Sequence, residues 1–174
     1  MAASALSTPA RAEPSEADIS GFSLHSLSGE RVAEHASAAA DAVAELLDHG
    51  FSLLGIKYRF GGNSPQSGFD CSGFVRHVFS DALGVLLPRT AVEMAKVGST
   101  VRRDELQPGD LVFFNTVSRA FSHVGIYLGD NKFMHANSRG GGVRIDDMTG
   151  GYWSRRFNGA RRIDAASESQ VTLR

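Results

Sequence analysis

The stretch Gly68-Phe69-Asp70-Cys71-Ser72-Gly73-Phe74-Val75 decides the fold, because it sets the chain's only cysteine at the opening of an amphipathic helix. Phe74, Val75, Val78 and Phe79 recur at helical spacing and Gly84 marks a stop, so the pattern predicts a helix over Cys71–Leu83. A thiol in the first turn faces backbone N–H groups that lack intrahelical acceptors, and the positive end of the helix dipole. Both favour the thiolate, the nucleophilic form. An isolated cysteine is more often a small buried hydrophobe. Here the small or polar neighbours Asp70, Ser72 and Gly73, and the glycine-bearing loop before them, suit a thiol that meets a substrate from outside.

Upstream of the helix, residues 1–20 are rich in Ala, Ser, Pro and Glu and are expected to be disordered. From Glu34 to Leu54 the residues Val43, Leu46, Leu47, Phe51 and Leu54 follow a helical period, with Gly50 able to split the helix and Gly55 to end it. Ile56–Gly62 reads as an extended piece entering a loop over Asn63–Gly68. A short helix is expected over Thr90–Lys96, with Thr90 as a possible N-cap.

Downstream the period changes. Gln107-Pro108-Gly109-Asp110 is a turn signal, followed by strands at Leu111–Phe114, His123–Leu128, Lys132–Asn137, Gly142–Asp146 and Phe157–Ile163. Residues 165–174 read as a polar tail. Helices first and strands later predict an α+β fold in which N-terminal helices pack on a central antiparallel sheet. His123, Gly125 and Tyr127 share one strand face. His135 joins that face only if an odd number of residues separates the strands, which a three-residue loop Gly129-Asp130-Asn131 supplies. The thiol and this histidine pair suggest a nucleophile, a base and an orienting group. His25, His35, His49 and His77 are read as surface residues.

With 174 residues, 42% of them hydrophobic and 21% charged, the composition suits one globular domain. A net charge of −1 gives no global basic field to attract nucleic acid. One cysteine excludes an internal disulfide and a multi-cysteine zinc site, and no His-Glu-x-x-His spacing occurs, so neither a metal nor a cofactor is expected. No apolar run is long enough to span a membrane. Ala10-Arg11-Ala12 resembles a signal-peptidase site, but no charged n-region and apolar h-region precede it. Gly140-Gly141-Gly142 reads as a flexible loop, and Arg139, Arg155 and Arg156 as solvated arginines.

Six motifs in order carry a resemblance: Tyr58-Arg59-Phe60-Gly61-Gly62, Gly68 through Val75, Leu87-Pro88-Arg89-Thr90, Pro108 through Phe114, Ser122-His123-Val124-Gly125-Ile126-Tyr127, and His135-Ala136. Together they resemble the NlpC-type peptidoglycan endopeptidase family over Ala38–Ile163. The resemblance implies a compact, circularly rearranged papain-like fold and a single catalytic domain over residues 21–164. It implies Cys71 as nucleophile, His123 as general base and His135 as the orienting residue. Tyr58, Asp70 and Ser72 match positions that line the substrate cleft, and in some relatives the Asp and Ser contact the free amine of a stem peptide. Arg89 lies within a matching motif, as a substrate anchor or a structural donor. The implied substrate is the peptidoglycan stem peptide and the implied location the periplasm or cell envelope. No wall-anchoring domain is recognisable, which leaves targeting to the N-terminal segment or to a protein partner. An acyltransferase using the same thiol, or a non-catalytic cell-wall binding module, are the alternatives.

Overall fold

The computed structural model describes residues 24–117, 120–139 and 141–163, so the expected N-terminal segment (1–20) and C-terminal tail (165–174) lie outside the described residues. The chain divides into two units, residues 1–36 and 37–174, the boundary falling inside the first helix, α1 (Leu24–Ser52). Within the first unit the side chains from Arg31 to Ala36 are exposed.

The second unit holds the rest of α1 and then β1 (Asn63–Ser64), β2 (Gly68–Phe69), α2 (Cys71–Leu83), α3 (Ala91–Met94) and β3 (Ser99–Val101). A 3₁₀ turn at Arg103–Glu105 leads to β4 (Leu111–Phe114), β5 (His123–Gly129), β6 (Lys132–Asn137), β7 (Gly142–Asp147), α4 (Gly151–Ser154) and β8 (Phe157–Arg162). β1 and β2 form a small hairpin, and the other strands form one sheet in the order β3-β8-β4-β5-β6-β7, each neighbouring pair antiparallel. This is the α+β, papain-like arrangement, with a cysteine-headed helix on an antiparallel sheet.

The alternation of side chains along β4 and β5 divides the apolar residues between two faces. Leu111, Phe113, Val124, Ile126, Met134, Ala136 and Val143 turn toward the helices and bury Phe74, Val75, Val78 and Phe79 of α2. Val112, Phe114, Tyr127, Phe133 and Ala160 turn the other way and cluster with Met148 and Trp153. His123 and His135 belong to this second side, where Phe133 stacks on His135 at 4.6 Å and Trp153 on His123 at 5.4 Å.

Several local expectations need correcting. The helix reaches back to Leu24, ten residues before the start that periodicity marks, because an apolar period reports the buried face and not the extent of a helix. Gly50 does not split α1. It is buried, and a Cβ there would stand 2.3 Å from Met134 Cε, so its bareness lets the helix settle on the sheet. Phe51 and Leu54, assigned to the apolar face, are exposed. The β5–β6 turn is the two-residue Asp130-Asn131, both at positive φ, and not a three-residue loop. The extra residue comes instead from a register shift between Tyr127 and Gly129. That bulge restores the odd count. Gly142 is not loop but the first residue of β7, pressed against Ile56 so closely that a Cβ would lie 2.4 Å from Ile56 O; Gly140 lies outside the described residues.

The start of α2 is fixed by capping and by close backbone approach. Asp70 adopts extended backbone and its carboxylate accepts from Gly73 N–H at 2.7 Å, as an N-cap does. Gly84, at φ 70°, closes the helix in the left-handed conformation. Thr90 caps α3 in a reciprocal pair with Glu93. A Cβ on Gly73 would sit 2.1 Å from the carbonyl oxygen of Gly62, a backbone atom with nowhere to go. Gly73→Ala is therefore expected to cost about 1–3 kcal/mol by overpacking, read as a lower urea midpoint at unchanged m. Gly50→Ala, which meets only the flexible end of Met134, is expected to cost clearly less; equal costs would contradict this account.

Candidate active site

Cys71 opens α2 and stands part-buried beside Tyr58, Phe60, Asp70, Ser72, Arg89 and Ser122 in a groove of about 500 Å³. The backbone N–H groups of Val124, Ser72 and Cys71 itself lie close enough to the sulfur to stabilise a thiolate, so the thiol abuts β5 one residue from His123. They do not prevail. Burial pushes the Cys71 thiol up, and the nearby Asp70 charge adds to it. The helix-terminal N–H groups pull toward the thiolate, as expected, but burial pulls the other way and is the larger effect.

On β5 and β6, His123 and His135 meet edge to face, Nε2 of His123 lying 2.7 Å from Nδ1 of His135. Gly125 makes the approach possible. A Cβ at that position would fall 3.2 Å from His135 Cβ and 2.8 Å from Met134 O. His135 is fully buried, and its Nε2 lies 3.0 Å from Oδ2 of Asp146 on β7. Asp146 also accepts from Trp153 Nε1–H at 3.1 Å and from the Arg144 guanidinium. Burial works against this carboxylate, but the hydrogen bonds from His135 and Arg144 overcome it and hold Asp146 at about 2.

An ionised carboxylate can only accept, and this fixes the proton positions along the row. His135 must donate through Nε2–H, which leaves its Nδ1 bare. His123 must then donate through Nε2–H, which leaves Nδ1 as its lone-pair nitrogen. Burial, with His135 adding to it, pushes His123 down to about 3, so its ring is a neutral base throughout the physiological range. Burial likewise lowers His135, against the pull of Asp146.

The residues expected at the cleft fall into two sets. Tyr58, whose hydroxyl is pushed up by burial and by the neighbouring Cys71 and Asp70, lines the thiol groove. Asp70, Ser72 and Arg89 also line it, but bind one another: Arg89 spans both Asp70 oxygens, at 3.1 and 2.6 Å, and reaches Ser72 Oγ at 2.9 Å. His123 faces a second groove of about 280 Å³ with Thr116, Asn137, Arg139, Tyr152 and Trp153. Val117 stands between the two grooves and lines both.

Three participants were not singled out in the sequence: Asp146, Arg144 and Trp153. Arg144 pairs across the sheet with His135, so an acid two residues further along β7 was the available signal. Arg156 is not simply solvated, since it lies 3.9 Å over the Tyr152 ring and donates to Tyr152 O, whereas Arg139 and Arg155 are exposed. Among the remaining histidines, His35 is exposed as expected and the side chain of His25 lies outside the described residues. His49 and His77 are not surface residues of the ordinary kind. They are half-buried, tilted together at 5.6 Å, with His77 against Phe69 and close to Asp81.

The sequence profile of the NlpC/P60 family matches residues 55–162, from the end of α1 to the last strand. The chain belongs to the NlpC/P60 family. It is 43% identical over 123 residues to an Escherichia coli protein named murein DD-endopeptidase MepS/murein LD-carboxypeptidase, covering 71% of this chain and 64% of that one. It is 40% identical over 140 residues to the gamma-DL-glutamyl hydrolase of Bacillus subtilis, covering 79% of this chain and 34% of the relative. The chain thus spans less than two thirds of the length of either. Among solved structures, an NLP/P60-family protein from Staphylococcus aureus superposes with a TM-score of 0.65 at 35% identity, over 71% of this chain and 41% of its own. The peptidoglycan hydrolase RipB of Mycobacterium tuberculosis does so with a TM-score of 0.63 at 29% identity, over 73% and 67%. The matched NlpC/P60 region contains Cys71, His123, His135 and Asp146, and among the described residues no helix is long and apolar enough to cross a membrane.

The buried row makes stability sensitive to acid. His123 has a folded value of about 3, below the ordinary 6.5, so the unfolded chain binds a proton that the native site refuses. This contribution is complete above about pH 7 and is lost as pH falls from 6.5 toward 3. Asp146, held at about 2, adds a second loss as pH falls through 3.8 toward 2. Thermal melts from pH 7.5 to 3.5 are expected to show a steadily falling Tm with its onset near pH 6.5; a Tm unchanged down to pH 4 would contradict the neutral-histidine assignment.

Proposed function

We propose that this chain is a cysteine endopeptidase of the bacterial cell envelope that hydrolyses peptide bonds in peptidoglycan stem peptides through a thioester acyl-enzyme. The observation that carries the reading is the proton row His123–His135–Asp146, headed by the residue next to Val124, whose backbone N–H meets the helix-terminal thiol. A binding module has no use for a base whose tautomer is fixed through two further side chains. The names of the relatives support the substrate class, since one is a murein endopeptidase and another a glutamyl hydrolase.

In this mechanism the thiol is neutral at rest and His123 acts as a general base during attack. As sulfur approaches the scissile carbonyl, Nδ1 of His123 takes its proton, and the imidazolium so formed is stabilised through His135 by the Asp146 charge. The carbonyl oxygen gains its charge next to the N–H groups at the head of α2, with Cys71 N–H as the donor. His123 then protonates the leaving amine, and the thioester is opened by water that the same ring deprotonates. The acyl side of the substrate occupies the groove of Cys71, Tyr58 and Phe60, the last 91% exposed and free to meet a ligand. The departing amine occupies the groove beside His123, where the proton it needs is held.

Wild type and Cys71→Ala incubated with purified peptidoglycan, with products identified by mass spectrometry, test the reading. Wild type is expected to release fragments carrying a new amine and a new carboxylate, Cys71→Ala none, and His123→Ala about 10²–10⁴-fold less than wild type. Equal release by Cys71→Ala would overturn it, and transfer to an added amine without hydrolysis would replace it with an acyltransferase. The resting neutral pair has its own signature. Alkylation of Cys71 by iodoacetamide should rise continuously from pH 6 to pH 9, because burial keeps the thiol protonated; a plateau below pH 7 would show a preformed ion pair.

A further inference from the structure

The second cluster of ligating side chains lies away from the thiol, where the end of α1 meets the middle of α2. We propose that His49, His77 and Asp81 form a binding site for a divalent transition-metal ion, with zinc as its natural occupant. His77 and Asp81 are one turn apart on α2 and so share a face, and His49 approaches them from α1. Nε2 of His77 lies 3.4 Å and Nε2 of His49 3.9 Å from the same Asp81 oxygen, and all three atoms fall within 4.8 Å of one another.

Tetrahedral zinc with bonds of about 2.0–2.1 Å needs ligand atoms about 3.3 Å apart, so the cluster has only to contract by rotamer adjustment. Two imidazoles and one carboxylate form a mixed nitrogen and oxygen set that zinc accepts, leaving one position for water.

A second observation points to a ligand independently. Nε2 of His49 is shut off from solvent yet, among the described residues, has no hydrogen-bond partner. Leaving a buried polar nitrogen unmatched is unfavourable, and a cation between it and Asp81 would remove that penalty. The rings are also held in place before binding. His77 rests on Phe69 at 5.1 Å, and Gly50, next to His49, lets α1 press onto Met134 and Val78.

The ion would clasp two helices that already meet at the His49–His77 ring pair. α2 is the helix that begins at Cys71, and Phe69 is the buried residue before the Asp70 cap. His77 is six residues beyond the thiol, about 9 Å along the axis, so the ion takes no part in bond breaking. Its effect is to hold the helix that carries the nucleophile.

The test uses the full chain without an affinity tag, carrying Cys71→Ala to remove the thiol as a competing ligand. After stripping with a chelator, it is titrated with zinc chloride by calorimetry, with cobalt(II) as a coordination probe. One ion per chain is expected, with the visible spectrum of tetrahedral cobalt and a Tm higher by about 5–10 °C at saturating zinc. His49→Gln and Asp81→Asn are each expected to weaken binding by at least about 100-fold, beyond what loss of an outer partner produces. His35→Gln, an exposed histidine elsewhere on α1, should leave it unchanged. Absence of binding, or full affinity in both His49→Gln and Asp81→Asn, would overturn the proposal whatever the outcome with peptidoglycan.

Discussion

The site depends on one charge that can only accept. Asp146 stays ionised although partly buried, because Arg144, Trp153 and His135 all present hydrogens to it. Its acceptor-only character passes inward through two imidazoles and decides which nitrogen of His123 is bare. The tautomer nearest the thiol is thus determined on a different strand, two hydrogen bonds away. Phe133 and Trp153 pack on the two imidazoles and shield the His123–His135 contact.

The row also requires a particular backbone. Its two rings touch because Gly125 has no side chain between them and because the β5–β6 bulge turns both histidines to one face. α2 brings Cys71 against the β5 backbone at Val124, its end fixed through the Asp70 cap and the tight Gly62–Gly73 contact. Arg89 ties that cap to Ser72, so the groove floor is a closed set of hydrogen bonds before any ligand arrives. Cys71, His123, His135 and Asp146 are thus all carried by a helix or a strand, while Tyr58, Phe60, Asp70 and Arg89 come from the segments between.

Much of this was legible in the residues. The extent of α2 could be read from its apolar period and from Gly84, which ends it. The shared face of His123 and His135 followed from the two-residue period of strands. The three-residue loop did not, since Asp130-Asn131 at positive φ makes a tight turn and a bulge is invisible to a residue count. β3, α4 and the β1–β2 hairpin are two to four residues long, too short for periodicity to register. Asp146 was hidden for another reason. With Arg144 and Asp147 it reads as a solvated strand, and only its hydrogen bond to His135 on the neighbouring strand gives it an interior role. The pull of the helix terminus on the thiol was visible in sequence, whereas the opposing effect of burial was not.

The ends of the sheet bear on how copies of this protein behave when crowded together. One border is β3, only three residues long. The other is β7, where the main chain of Val143 is already bonded on its outer side by Gly55 and Ile56, and the remainder carries Arg144, Asp146 and Asp147. Neither border offers a long, bare ladder of amides to a neighbouring molecule. A sheet finished in this way gives a neighbouring copy little backbone on which to add a strand.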